Sequence, residues 1–459
     1  MPDNNKRSTE ETRRNRAKDT DAKGSSDEKQ KKVRRTSSVV VAGGRGVRRV
    51  ENLPTERDEE RRLRREREDE AWNRGIVRIK TSADRILLIL ILTLLTLGTV
   101  MVFSASYPIA LYKSGGEDSL MFIKRQLAFA GIGIGTMALT SKIPYTLYRK
   151  TAPAIYAAGI LLLILALFIG HGGADSATEV GVRRWIGIEG TAINIQPSEL
   201  MKPALVMMLG WYMEKYREKI IDRSNPKDYI LRGVIGPYAI LGIACLFVIA
   251  GKHLSGTIIV GMIGICVVFL GGSHILYMLI GGILGGTAAI SAYLAMNPYA
   301  LKRITTFTDS NADVMAEKWQ TTQGLYAIGS GGLLGTGLGG SNQKFSYVSD
   351  AHTDFIFTIW CEEMGFIGAV LLIGLFIAFI WRGFVVAMHA PDTFSSLLAA
   401  GIVIQVGLQV FLNIGVVTDV LPNTGVPLPF FTYGGSSLVV LMAEMGILLS
   451  ISRHSYQKR

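Results

Sequence analysis

ILLILILTLLTLGTVMVF, residues 86–103, is an unbroken run of eighteen uncharged and mostly aliphatic residues. A helix rises about 1.5 Å per residue, so roughly 20 such residues cross the ~30 Å hydrocarbon core of a bilayer. Runs of the same kind recur near 84–105, 122–141, 151–170, 198–214, 229–250, 254–272, 274–296, 354–381, 393–418 and 432–452. Backbone groups inside a bilayer must be satisfied within the protein, and these runs are far too long for barrel strands. The sequence therefore predicts an all-α polytopic membrane protein with ten transmembrane helices. A large external loop, 297–353, separates helices 7 and 8. With 49% hydrophobic residues beside so charged an N-terminus, the 459-residue chain does not read as an ordinary soluble protein.

Orientation follows from Lys and Arg near the span ends. They crowd the N-terminal tail, Lys142 to Lys150, Lys215 to Lys227, Arg382, and Arg453 to Arg459, all on one side. The excess of positive charge on cytoplasmic loops puts both termini in the cytoplasm. Residues 1–80 form a basic cytoplasmic tail with almost no apolar periodicity, which predicts disorder, and residues 81–459 form the membrane domain. Acidic and Arg residues recur at helical spacing over Glu56 to Trp72, so a local helix fits there. The tail suits anionic membrane lipids or a cytoplasmic protein partner. It nearly lacks aromatics, which argues against nucleic acid. No cleavable signal peptide precedes the first span.

Three cysteines, Cys245, Cys266 and Cys361, fall inside spans without metal-ligand spacing and read as packing residues. No two of the six histidines stand at i, i+4, so a structural zinc site is not expected.

External loops are normally poor in cations. The exceptions are Arg183, Arg184, Lys252, Lys302, Arg303 and Lys344, which either anchor helix ends at headgroups or form one cationic surface. Arg183 and Arg184 precede Trp185, and an interfacial Trp beside two guanidinium groups suits a phosphate-bearing headgroup. QPSELMK, 196–202, opens the fourth span with Pro197 in its first turn and with Ser198 and Glu199 as candidate caps. Lys202 either pairs with Glu199 three residues earlier or lines a lipid-accessible cavity.

Glu362 and Glu363 lie about two turns inside the eighth span, which Thr353 or Asp354 would cap. Carboxylates at that depth face a polar cavity or pair with a base. Glu444 in the last span reads the same way. LPNTGVPLPFFTYGGSS, 421–437, holds three prolines and three glycines, so it predicts a short re-entrant or interfacial loop shaping a groove. Its hydroxyls, Thr432, Tyr433, Ser436 and Ser437, either bind substrate or cap the tenth helix. GSGGLLGTGLGG, 329–340, follows no strand and precedes no Gly-Lys-Ser/Thr. Flexibility or close backbone approach explains it better than nucleotide binding. Asp309, Asp313 and Glu317 recur every four residues beside Lys302 and Arg303, either as a solvated helix face or as a site.

Several segments, in this order, resemble the family of shape, elongation, division and sporulation proteins that includes FtsW, RodA and SpoVE. They are MVFSASY (101–107), FIKRQ (122–126), RRWIGI with INIQPSELMK (183–202), HLSGT (253–257), the glycine run, AHTDFIF with EEMGFIG (351–368), NIGVV (413–417) and GVPLPFFTYGGSSL (425–438). The resemblance runs from about Ala83 to Arg453, and it is FtsW-like or SpoVE-like more than RodA-like. It implies a peptidoglycan glycosyltransferase that polymerises lipid II, the undecaprenyl-pyrophosphate disaccharide-pentapeptide, at the outer face of a bacterial cytoplasmic membrane. The implied partners are a class B penicillin-binding protein transpeptidase and other cell-wall synthesis proteins, with a role in division at the septum. The family pattern Phe-x-(Asn/Asp)-Pro-x-x-Asp-Pro followed by Tyr-Gln matches Phe307, Asp309 and Asp313, then Trp319 and Gln320, which makes Asp313 the catalytic counterpart. Ser310 and Val314 replace both prolines and Trp319 the usual Tyr, changes that bear on loop shape rather than on chemistry.

The implied reaction asks for little else. An acceptor hydroxyl displaces polyprenyl pyrophosphate at an anomeric carbon, and one base must take its proton, a task worth roughly 10²–10⁴-fold. Pyrophosphate leaves without a protein acid if cations or a metal stabilise its charge. Asp313 is thus assigned as base or as ligand of a divalent cation, Mg or Mn, with no other cofactor. Arg183, Arg184, Arg303 and Lys202 are assigned to the pyrophosphate, and Lys344, His352, Asp354, Tyr433 and Ser436 to further substrate contacts. The competing readings are a lipid II flippase, an elongation or sporulation member of the same family, and a scaffold recruiting cell-wall enzymes through the tail. Against a flippase stand the absence of a convincing internal repeat and a polar site lying away from the midplane.

Overall fold

In a computed structural model the protein is described at residues 76–77, 83–172, 183–187, 194–221, 226–296, 301, 307, 318–349, 351–454 and 457–458. The tail helix expected at Glu56 to Trp72 lies outside them, as do Lys302, Arg303, Asp309, Asp313 and Glu317.

Ten principal helices follow one another: α1 Arg85–Lys113, α2 Met121–Lys142, α3 Tyr145–Ile169, α4 Pro197–Lys215, α5 Gly236–Ala250, α6 Leu254–Leu270, α7 Ile275–Met296, α8 Ile356–Met388, α9 Thr393–Val417 and α10 Gly435–Ser452. Each overlaps one of the ten runs read from the sequence. Six of the described segments, those of α1, α3, α5 with its lead-in, α8, α9 and α10, are both long and apolar enough to cross a membrane. The chain is thus an all-α polytopic membrane protein. Short connections make α2–α3, α5–α6, α6–α7 and α8–α9 antiparallel pairs. Asp84, Arg382 and Ser452 meet at one end, here the terminal end. The described parts of the loops after α1, α3, α5, α7 and α9 lie at the other, distal end.

Helix ends follow local chemistry. Asp84 caps α1 by accepting from Leu87 N, and Asp392 with Ser395 forms a reciprocal capping box on α9. Pro237, which cannot donate a backbone bond, follows a π-helical turn at Ile230–Ile235 that leads into α5. Two sequence expectations need correction. Neither Thr353 nor Asp354 caps α8, whose N-cap is Phe355, and neither Ser198 nor Glu199 caps α4, which starts after Gln196 with Pro197 at its first position.

α2 and α10 make the most extensive contact. Glycines permit it: a Cβ on Gly446 would stand 1.9 Å from Thr140 Oγ1, and that hydroxyl donates across the interface to Ala443 O at 3.1 Å. α4, α9 and α10 are the most deeply enclosed helices, whereas α1, α3, α5 and α8 show large apolar side chains outward, as a lipid-facing rim does. α8 is broken at Gly365 (φ 67°, ψ −170°).

Candidate functional site at the distal end

The distal connections are sewn together by the segments that carried the family resemblance. From HLSGT, Ser255 Oγ donates to Thr424 O in the 421–437 loop. From α9, Asn413 Nδ2 donates to Asp354 O at 2.7 Å and to Val426 O at 2.8 Å, joining the start of α8 to the same loop. Thr432 Oγ1 donates to Thr353 O and accepts from Leu428 N, and Tyr433 N donates to His352 O. Asn423 Nδ2 reaches Gln320 Oε1 on the loop helix Trp319–Ser330. Backbone groups of the irregular 421–434 segment are thereby satisfied by Ser255, Asn413, Thr432 and the His352 carbonyl, as non-helical backbone covered by protein requires.

Two polar centres lie beneath this mesh. At the start of α4, Lys202 is buried and pairs with Glu199 at 2.6 Å, the local ion pair that the spacing offered as one alternative. Ser198 Oγ lies 3.1 Å from His253 Nδ1, and Arg184 lines the same small cavity. Burial, then Arg184 and Lys202, push the His253 imidazole down to about 3, so it stays neutral. A second cavity of about 30 Å³, room for about one water, is bordered by Glu199, Gln405, Gln409, Thr432 and Glu444. Gln405 Nε2 donates to both Glu444 oxygens, at 2.9 and 2.8 Å.

The other centre joins α1, α8 and the glycine run. Glu363 accepts from Ser104 Oγ at 2.6 Å and pairs with Lys344 at 2.8 Å. Lys344 Nζ also donates to Gly339 O, and Glu362 accepts from Ser341 Oγ, Asn342 N and Gln343 N. Both carboxylates are buried; Glu363 pairs with a base, one of the two expected alternatives, whereas Glu362 is held by a hydroxyl and backbone N–H groups. Lys344, read from sequence as part of a surface facing substrate, is instead turned into the bundle, because an isolated buried carboxylate there would be far costlier.

The remaining candidates divide. Arg183 Nη1 donates to Leu167 O and Phe168 O, closing the carbonyl end of α3. His352 is buried between the Phe122 and Tyr433 rings, at centroid distances of 5.1 and 5.8 Å, and burial then Lys113 push it down to about 4. Asp354 is half-buried beside Thr353, and Ser436 Oγ is buried with no hydrogen-bond partner among the described residues. Thus the structure brings His352, Asp354 and Tyr433 together and places Arg184 near Lys202, while Lys344 belongs to a separate centre. Asp313 and Arg303 lie outside the described residues. Sequence reading missed Ser104, His253, Gln405 and Asn413. The last two had a signal, since Gln405, Gln409 and Asn413 recur every four residues along an otherwise apolar helix. Among the described residues no three His, Cys, Asp or Glu side chains converge as metal ligands.

The distal mesh draws on four segments of the resemblance, HLSGT, AHTDFIF, NIGVV and GVPLPFFTYGGSSL, and sequence comparison agrees with the resemblance. Residues 85–457 match the family described as Cell cycle protein, FtsW/RodA/SpoVE. The chain belongs to this family. It is 40% identical over 379 residues to stage V sporulation protein E of Bacillus subtilis, covering 82% of this chain and 98% of that protein. It is 36% identical over 369 residues to a probable peptidoglycan glycosyltransferase FtsW of Geobacter sp. strain M18, covering 80% and 96%. Among solved structures it resembles the rod shape determining protein RodA of Thermus thermophilus, with TM-score 0.58, 26% identity, and 82% and 98% coverage. It also resembles a chain of a peptidoglycan synthase complex that coordinates polymerization and crosslinking, with TM-score 0.63, 26% identity, and 81% and 98% coverage.

Proposed function

We propose that this chain is a peptidoglycan glycosyltransferase that polymerises lipid II into glycan strands, with a crosslinking class B penicillin-binding protein as its partner. The observation that carries the reading is the distal mesh. It is built from the same segments that place the chain beside relatives named for that activity. In this reading Asp313 takes the proton from the acceptor sugar hydroxyl as its oxygen attacks the donor's anomeric carbon. The carbon–oxygen bond to polyprenyl pyrophosphate breaks, and the leaving oxygen carries the electron pair toward Arg184, Lys202, Arg183 and Arg303. Lys202 and Arg184 both lie close enough to His253 to add to the effect of burial on it, so two cations stand near this end of α4, Lys202 paired with Glu199. His352, Asp354, Tyr433 and Ser436 would meet the sugar or the lipid, and Lys344 would hold the loop that borders them. A divalent cation at Asp313 would supply further charge stabilisation.

The cytoplasmic membrane, cytoplasmic termini, the remaining crossings that bring the total to ten, and a septal division role complete the proposal. The flippase reading is favoured by no observation at the Glu444 cavity, whose polar groups Gln405 and Glu444 bond to each other. Reconstitution with the crosslinking partner in vesicles holding fluorescent lipid II separates the two readings. Polymer ladders on a gel are expected. Translocated but unpolymerised lipid II would overturn the proposal.

A further inference from the structure

The sequence presents 297–353 as one external loop, yet residues 331–340 are bonded into the body of α8. Thr336 N and Gly337 N donate to the carbonyls of Glu362 and Glu363, while Phe366 N and Ile367 N donate to those of Gly332 and Leu333. These bonds replace the ones that the break at Gly365 leaves open. The fit is close: a Cβ on Gly335 (φ 81°) would lie 2.2 Å from Glu363 O, and one on Gly365 would lie 2.3 Å from Gly335 N.

The depth of this contact can be measured along two helices. Asp84, the cap of α1, pairs with Arg382 of α8 at 2.7 Å, and a charged pair at the terminal end marks the membrane boundary there. From Arg382 up to Ile367 is fifteen residues of helix below the break, or ~22 Å. The hydrocarbon core is ~30 Å thick, so Ile367 and the Leu333 bonded to it lie several ångströms inside the far boundary. Along α1, Ser104 stands twenty residues above Asp84, or ~30 Å, which puts its bond to Glu363 at that boundary.

Between this depth and the boundary the arm shows two faces. Outward, Leu333, Leu334 and Leu338 are 69%, 80% and 58% exposed, continuing the exposed apolar face of Phe366, Ile367 and Leu371. Inward, Ser341 and Lys344 turn to Glu362 and Glu363, and Gly339 O accepts from Lys344. Non-helical backbone survives in hydrocarbon only when protein satisfies it, as these bonds do.

We propose that residues 331–340 are a re-entrant arm sunk into the bilayer, its leucines against lipid acyl chains, and latched by the Lys344–Glu363–Ser104 centre. The test places a nitroxide at Leu334→Cys in the full chain, reconstituted in phosphatidylcholine/phosphatidylglycerol nanodiscs. Val420→Cys, on the exposed turn after α9, serves as the water-facing reference, and the labelled unsubstituted chain gives the background of the three native cysteines. The label at 334 should be relaxed by oxygen and little by a water-soluble nickel chelate, with the opposite at 420. Nickel access at 334 equal to that at 420 would overturn the embedding, and shielding from both agents would mean a protein neighbour rather than lipid. Adding Lys344→Ala should raise nickel access at 334 severalfold, and Lys344→Met with Glu363→Gln should restore the embedded pattern. If the Lys344→Ala protein stays monodisperse with its arm unmoved, the latch is wrong.

Discussion

Single side chains at the distal end are committed to partners in ways that make them breakable. Glu363 holds Lys344 and Ser104 in a site closed to water, so removing the carboxylate leaves an ammonium group buried and uncompensated. Glu363→Ala is expected to cost about 3–5 kcal/mol in detergent unfolding, and Glu363→Gln less, because the amide still accepts from the ammonium. His352 gives a pH signature. Its folded value of about 4 lies below its ordinary 6.5, so the unfolded chain binds the proton more readily. Its contribution is therefore complete above pH 6.5 and is lost as pH falls toward about 4, at most ~3 kcal/mol. The thermal midpoint of the wild type should decline over that window more steeply than that of His352→Gln; superimposable curves would refute the assignment.

Elements show where sequence was legible and where it was not. The spans could be read because length and apolarity alone decide whether a helix crosses a bilayer, and each of the ten runs met a helix. Their partners could not. Glu362 and Glu363 announced that something must satisfy them, but that it was Ser341, Lys344 and Ser104 depended on a chain reversal over 331–344, which has no periodic signal. The glycine run pointed to close backbone approach without saying to what. Ser198 looked like a cap and faces His253 instead, because Pro197 already spares one orphan donor and the side chain is free to turn. Two substitutions follow from these contacts. Gly335→Ala forces a left-handed residue against the Glu363 carbonyl and should destabilise by roughly 1–3 kcal/mol, whereas Gly329→Ala, which meets nothing within 4 Å, should be neutral or stabilising. Asn413→Leu keeps the side-chain branching but unties α8 from the 421–437 loop. It should lower turnover about tenfold or more while the unfolding midpoint moves by only a few degrees.

For the molecule as a whole, a rigid inner set of helices, α4, α9 and α10, carries polar side chains up to a distal mesh, and the lipid-facing helices close around it. The terminal end is pinned by Asp84–Arg382 and by Arg149 between Glu214 and Asp392. That arrangement suits a reaction in which the substrate's lipid stays in the bilayer while its headgroup is held at one surface. Family membership was legible from the ordered motifs, and the mesh gives those motifs a physical reason to occur together. The proposed chemistry turns on one residue, Asp313, and one measurement addresses that proposal. Wild-type chain and Asp313→Ala, each purified with the crosslinking partner and matched for unfolding midpoint, are given lipid II and assayed for glycan polymer. The account predicts polymer from the wild type and none above background from the variant. Polymer from Asp313→Ala at the wild-type rate would contradict it.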